Sequence, residues 1–150
     1  MRTLGFDTSN YTTSVAAFNG VSGENCSRLL DVRPGELGLR QSDALFAHVK
    51  RLPEMTDELF AALPKDTIRA VGASTRPRAV DGSYMPCFLA GSSQAQTLAR
   101  ILDVPFYAFS HRQEKASRTV RRICFLCRFS RYPISRGISR RRCGRRDGWS

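Results

Sequence analysis

The sequence predicts an α/β fold, a mixed five-stranded sheet with crossover helices, spanning residues 1–111. Three observations predict it. Two short apolar and β-branched runs open the chain on either side of a small polar turn. Two later stretches carry apolar residues at helical spacing, and each is followed by a short apolar run of strand length. The resulting order, βββαβαβ, is a meander followed by helices that cross over between parallel strands.

Taken in order, Thr3-Leu4-Gly5-Phe6 forms the first strand, and Asp7-Thr8-Ser9-Asn10 interrupts it. Thr12 to Phe18 is the second strand, closed by an Asn19-Gly20 hairpin signal. Val21 to Val32 continues as a third strand, with Cys26, Leu30 and Val32 on one side, and Arg33-Pro34-Gly35 ends it. Ser42 is the expected N-cap of a helix carried by Leu45, Phe46, Val49 and Leu52. Pro53 is expected to break or kink that helix, with Leu59, Phe60 and Leu63 carrying its apolar face onward. Ala70 to Ser74 reads as a short buried strand, and Thr75 to Ser83 as a polar loop at its carboxyl end. Pro86 opens a second helix with a stripe of Cys87, Gly91, Ala95, Leu98 and Leu102. Phe106 to Phe109 is the last strand and runs into Ser110-His111.

Ligands of such sheets sit outside the carboxyl ends of strands. The Asp7 turn, the Thr75 loop and His111 all map to that edge. A turn of Asp, Thr, Ser and Asn offers hydroxyls and backbone N–H groups to an anion, and a carboxylate that can hold Mg²⁺ through water. The alternative is an Asx turn that satisfies only its own backbone. A lone helical histidine such as His48 is expected to serve at the surface or in packing.

The net charge of +11 suggests nucleic acid until it is mapped. Residues 1–111 hold eleven basic and eleven acidic side chains, so the whole excess lies in residues 112–150, where 12 of 39 residues are arginine. The composition jumps at one point and no periodicity follows, which is the pattern of a slipped reading frame. A disordered tail and a basic nucleic-acid arm are the alternatives. Cys124-x-x-Cys127 has metal-like spacing, but with a lone Cys143 and no histidine nearby it completes no four-ligand zinc site. Five cysteines are an odd number, Met1-Arg2-Thr3 opens no signal-peptide pattern, and no apolar stretch approaches the roughly 18 residues of a membrane span. The expected setting is reduced and cytoplasmic, away from membranes.

Leu4-Gly5-Phe6-Asp7-Thr8-Ser9 with Thr13-Ser14-Val15-Ala16 resembles the opening of the tRNA threonylcarbamoyladenosine transferase family (TsaD), also called Gcp-like or O-sialoglycoprotein endopeptidase proteins. The resemblance continues through His48-Val49-Lys50, Ala70 to Pro77, and Ala90-Gly91-Ser92-Ser93-Gln94-Ala95 into Ser110-His111. It covers about residues 3–111. It implies the partial N-terminal lobe of an actin/hexokinase/Hsp70-like ATPase fold. It further implies threonylcarbamoyl transfer from its adenylate to the N6 of the adenosine beside the tRNA anticodon. ATP or an adenylate and a divalent metal, iron or zinc, are the implied cofactors; tRNA and threonylcarbamoyl-adenylate are the implied partners. The chemistry is Lewis-acid polarisation with orientation. Peptidase activity is not expected, because the chain shows no nucleophile or metalloprotease motif.

Carried over by position, the resemblance assigns Asp7, Thr8, Ser9 and Asn10 to nucleotide or phosphate, and Thr75, Arg76, Asp81, Gly82 and Ser83 to a substrate loop. His111 takes the first place of the family's His-x-x-x-His metal motif, but Lys115 stands where the second histidine belongs. The loop from Thr75 has one glycine where the family uses several, and the Cys-Asp-Glu that often follows Ser9's counterpart is absent. These departures suggest a paralogous branch, and no catalytic residue is assigned. Three functions follow: a truncated, inactive transferase fragment; a non-catalytic relative similar to the TsaB partner, which binds another family member; or a basic RNA-binding module built on the tail. A partial lobe is also expected to be poorly soluble.

Overall fold

The computed structural model describes residues 1–32, 38–61 and 63–111. The expected strand end at Arg33-Pro34-Gly35, Lys115, the Cys124-x-x-Cys127 pair and all three readings of residues 112–150 lie outside the described residues.

β1 (Arg2–Asp7), β2 (Thr12–Phe18) and β3 (Gly23–Leu29) form the antiparallel meander, with Phe6 opposite Val15 and Val15 opposite Cys26. α1 (Gln41–Ala61) then crosses to β4 (Ile68–Arg76), which lies parallel to β1. α2 (Phe88–Ile101) crosses to β5 (Phe106–Ser110), parallel to β4. The sheet order is β3-β2-β1-β4-β5. It is the mixed five-stranded α/β sheet that the element order predicts.

Alternation along the strands sends Leu4, Phe6, Val15, Ala17, Val71 and Ala73 into one core with Leu52, Met55 and Leu59 of α1 and Ala95 and Ala99 of α2. The two helices also pack on each other, so both cover the same sheet face. The small side chains of α2 let it lie close to β1 and β4. At Gly91 an added Cβ would come within 3.0 Å of the Thr8 hydroxyl oxygen.

The structure corrects several expectations about element ends and faces. β3 begins at Gly23, not Val21, because Asn19 builds a four-residue turn: its side-chain oxygen accepts the Val21 and Ser22 N–H groups, and Gly20 takes a φ of 99°. Cys26 and Leu30 are buried, whereas Val32 is exposed. Helix α1 starts at Gln41, so Ser42 lies inside the first turn and is not its cap. The helix also runs unbroken through Pro53. Pro53 removes one donor to the Val49 carbonyl, and both residues lie on the exposed side, which leaves that carbonyl open to solvent. The buried stripe is Ala44, His48, Leu52, Met55 and Leu59, while Phe46 and Val49 face outward. Thr75 and Arg76 belong to β4 and not to the loop after it. α2 starts at Phe88, two residues later than Pro86.

Candidate functional site

The parallel pairing of β1, β4 and β5 brings their carboxyl ends to one edge, and the β1–β2 turn stands at its centre. Asp7, Thr8 and Ser9 are buried there, and Asn10 is exposed with a φ of 59°, a left-handed conformation that asparagine tolerates. Several of the turn's polar groups are engaged by the protein itself. The Ser9 N–H donates to Asp7 Oδ1 at 2.9 Å. The Thr8 hydroxyl donates to the Cys87 carbonyl at 2.7 Å and accepts the Gly91 N–H at 3.1 Å. Cys87 and Gly91 stand four apart at the start of α2, so one threonine fastens the strand end to the helix's first turn. Replacing Thr8 with valine strips two buried backbone groups of a partner. We expect a loss of about 1–3 kcal/mol in denaturant unfolding, with most of it restored by Thr8→Ser.

His48 fastens the turn from the other helix. It is fully buried, with Nδ1 2.8 Å from the Thr13 hydroxyl and Nε2 3.1 Å from the Asn10 carbonyl. A carbonyl only accepts, so Nε2 carries the proton and Thr13 donates to Nδ1. Burial pushes the His48 pKa down, partly opposed by the Asn10 carbonyl and by Asp7, while Arg51 adds to the lowering. The neutral ring is therefore favoured on folding. Its stabilising effect is fully present above the unfolded value of about 6.5 and is lost as pH falls through the lower folded value. Unfolding free energy should accordingly fall with acidification below pH ~6.5, more steeply than in a His48→Gln variant. Of the two roles expected for His48, surface or packing, the structure shows the second, with two hydrogen bonds added to it. Its spacing from Ala44 and Leu52, both buried, is the signal that places it inward.

At the same edge, His111 Nδ1 lies 3.2 Å from Asp7 Oδ2, and its ring meets Phe88 edge-on with centroids 6.3 Å apart. Its backbone N–H donates to the Arg76 carbonyl at 2.8 Å. Asp7, Arg76 and His111, distant in sequence, are therefore neighbours. Thr75 donates to the Phe109 carbonyl, within the β4–β5 pair. Asp81 and Gly82 are exposed, and the Ser83 hydroxyl accepts the Arg78 N–H of its own loop. Among the described residues, no three His, Cys, Asp or Glu side chains converge to hold a metal. Asp7 and His111 alone do not fit the iron or zinc site that the resemblance implies. Cys87 is buried, and burial pushes its thiol pKa up, which keeps it an unreactive thiol.

A second feature lies on the outer side of the helix pair. Val49 and Leu52 of α1 face Ala90, Gln94 and Leu98 of α2 across an open groove whose surface is mostly apolar. Phe46 is 66% exposed, Val49 51% and Leu89 46%, on these same two helices. Lys50 stands over the Phe46 ring at 5.6 Å. No helix among the described residues is long and apolar enough to cross a membrane.

An α/β sheet meander with two crossover helices on one face defines the structural class. Among solved structures, the chain is similar in fold to YeaZ from Pseudomonas aeruginosa, with 22% identity and a TM-score of 0.52 over 73% of this chain. It is equally similar to a structure described as an uncharacterized protein with similarity to peptidase YEAZ from Pseudomonas aeruginosa, with a TM-score of 0.51 and 22% identity over 73% of this chain. The match spans 43% of each of those chains. No protein-family model matches the sequence, and no curated protein matches it.

Proposed function

We propose that this chain is a non-catalytic lobe of the TsaB type, binding a two-lobed member of the tRNA threonylcarbamoyladenosine transferase family through the outer face of α1 and α2. The apolar groove between Val49 and Leu98, with Phe46 and Leu89 exposed on the same helices, carries the reading. A groove between two helices, walled in part by apolar side chains, has the form that a partner's helix can fill. The fold likeness to YeaZ, the TsaB-type protein, supports it. So does the β1–β2 turn, whose Thr8 and Asp7 are already engaged by the chain itself.

The second reading is the transferase fragment, with ATP or an adenylate, a metal and tRNA at the carboxyl edge. The Asp7–His111 approach brings two of its assigned positions to that edge; the lack of a third ligand among the described residues and Lys115 at the second histidine position speak against it. A reduced cytoplasmic setting suits either, given that neither Cys26 nor Cys87 forms a disulfide. Sedimentation velocity of the chain with such a two-lobed protein, in EDTA, separates the two. A stable complex formed without metal supports the partner reading. No association, together with stoichiometric metal uptake and threonylcarbamoyl transfer by the chain, supports the enzyme.

A further inference from the structure

The β1–β2 turn is held by both helices, through Thr8 on α2 and His48 on α1. Only the second attachment contains a group that titrates near neutral pH. We propose that His48 is a pH-sensitive latch: neutral, it ties α1 to Asn10 and Thr13 on either side of Tyr11-Thr12, and protonated, it releases the turn. The proposal does not depend on the partner reading, since it concerns only contacts inside this chain.

Both ring nitrogens are occupied in the neutral form, one as donor and one as acceptor. A proton arriving from solvent must go on Nδ1, the nitrogen whose lone pair accepts the Thr13 hydroxyl. The Thr13 hydroxyl must then turn its own hydrogen away to accept from Nδ1–H, and a cation sits in a fully buried position. Thr13 is itself fully buried, so its hydroxyl cannot turn to water in place. The charged ring regains hydration by leaving the pocket, and with it goes the hydrogen bond to the Asn10 carbonyl.

The groups facing His48 set the balance. Asp7 on β1 favours the cation, and Arg51 on α1 opposes it. Arg51 is held in place by Asp31 and the Leu29 carbonyl, so its opposition is fixed. The Cys87 thiol, before α2, adjoins the same turn and stays neutral.

The test is imidazole ¹⁵N NMR on the full chain from pH 8 to 5, which is readable because the chain has only two histidines. His111→Gln assigns the other ring. The expected result is the Nε2–H tautomer for His48 at neutral pH and a titration below the usual histidine range. The amides of Asn10, Tyr11 and Thr13 should shift and exchange faster with that same midpoint. Thr13→Val should raise the midpoint, because it removes the donor that favours the neutral ring. The Nδ1–H tautomer, an ordinary titration, or amides that ignore the His48 midpoint would each overturn the latch.

Discussion

Gly91→Val should strongly destabilise the chain, lowering stability by about 3 kcal/mol. The α2 backbone crosses β1 at this residue, and a Cβ there meets Thr8 Oγ1 at 3.0 Å and Thr8 Cγ2 at 3.1 Å. Neither atom can yield, because the Thr8 hydroxyl is engaged by Cys87 and by Gly91 itself. Valine adds two further methyl groups to that contact and separates the helix from the turn. Alanine gains about 1 kcal/mol of helix propensity over glycine, which offsets part of its own strain. Gly91→Ala should therefore fall well short of valine's cost. Urea unfolding of the three proteins decides this, and a valine variant within 1 kcal/mol (about fivefold in the folding equilibrium) of the parent would show that α2 is free to move away from β1.

The second large effect is on association. Val49→Glu places a carboxylate in the apolar groove, at a side chain already half exposed in the free chain. Binding would bury that charge against apolar surface without a partner, a cost that truncation studies of buried charge put at several kcal/mol. A loss of affinity on the order of 100-fold or more is expected. The folded chain should lose little, since surface substitutions away from special features usually change stability by less than about 0.5 kcal/mol. Sedimentation velocity and thermal melting on the same samples keep the two effects apart.

Much of the fold is legible in the sequence because the signals are local. Thr12 to Phe18 is a β-branched run closed by Asn-Gly, and β2 spans those residues. The mixed sheet follows from strand order and crossover rules, and the observed order agrees. The misreadings have a common origin in α1. That helix carries two apolar faces, one against the sheet and one outward, and the spacing of Phe46 and Val49 does not say which faces inward. A polar residue at the centre of the buried stripe, His48, further blurs it. Its partner Thr13 lies on another strand, so sequence spacing carries no trace of the bond. The edge is different: topology alone assigns Asp7 and His111 there, and the parallel strands bring them to 3.2 Å. The sequence also points Asp81 and Gly82 to that site, yet their turn stays in solvent. Topology places strand ends, but it does not fix the course of a loop.

Hydrogen exchange, measured on the chain alone and with a two-lobed transferase-family protein, tests the docking face most directly. The partner reading expects added protection at residues 44–53 and 88–98, with the β1–β2 turn and residues 77–84 unchanged. Protection confined to that turn and loop, with the helices exchanging as in the free chain, would contradict it and put the binding surface at the carboxyl edge of the sheet.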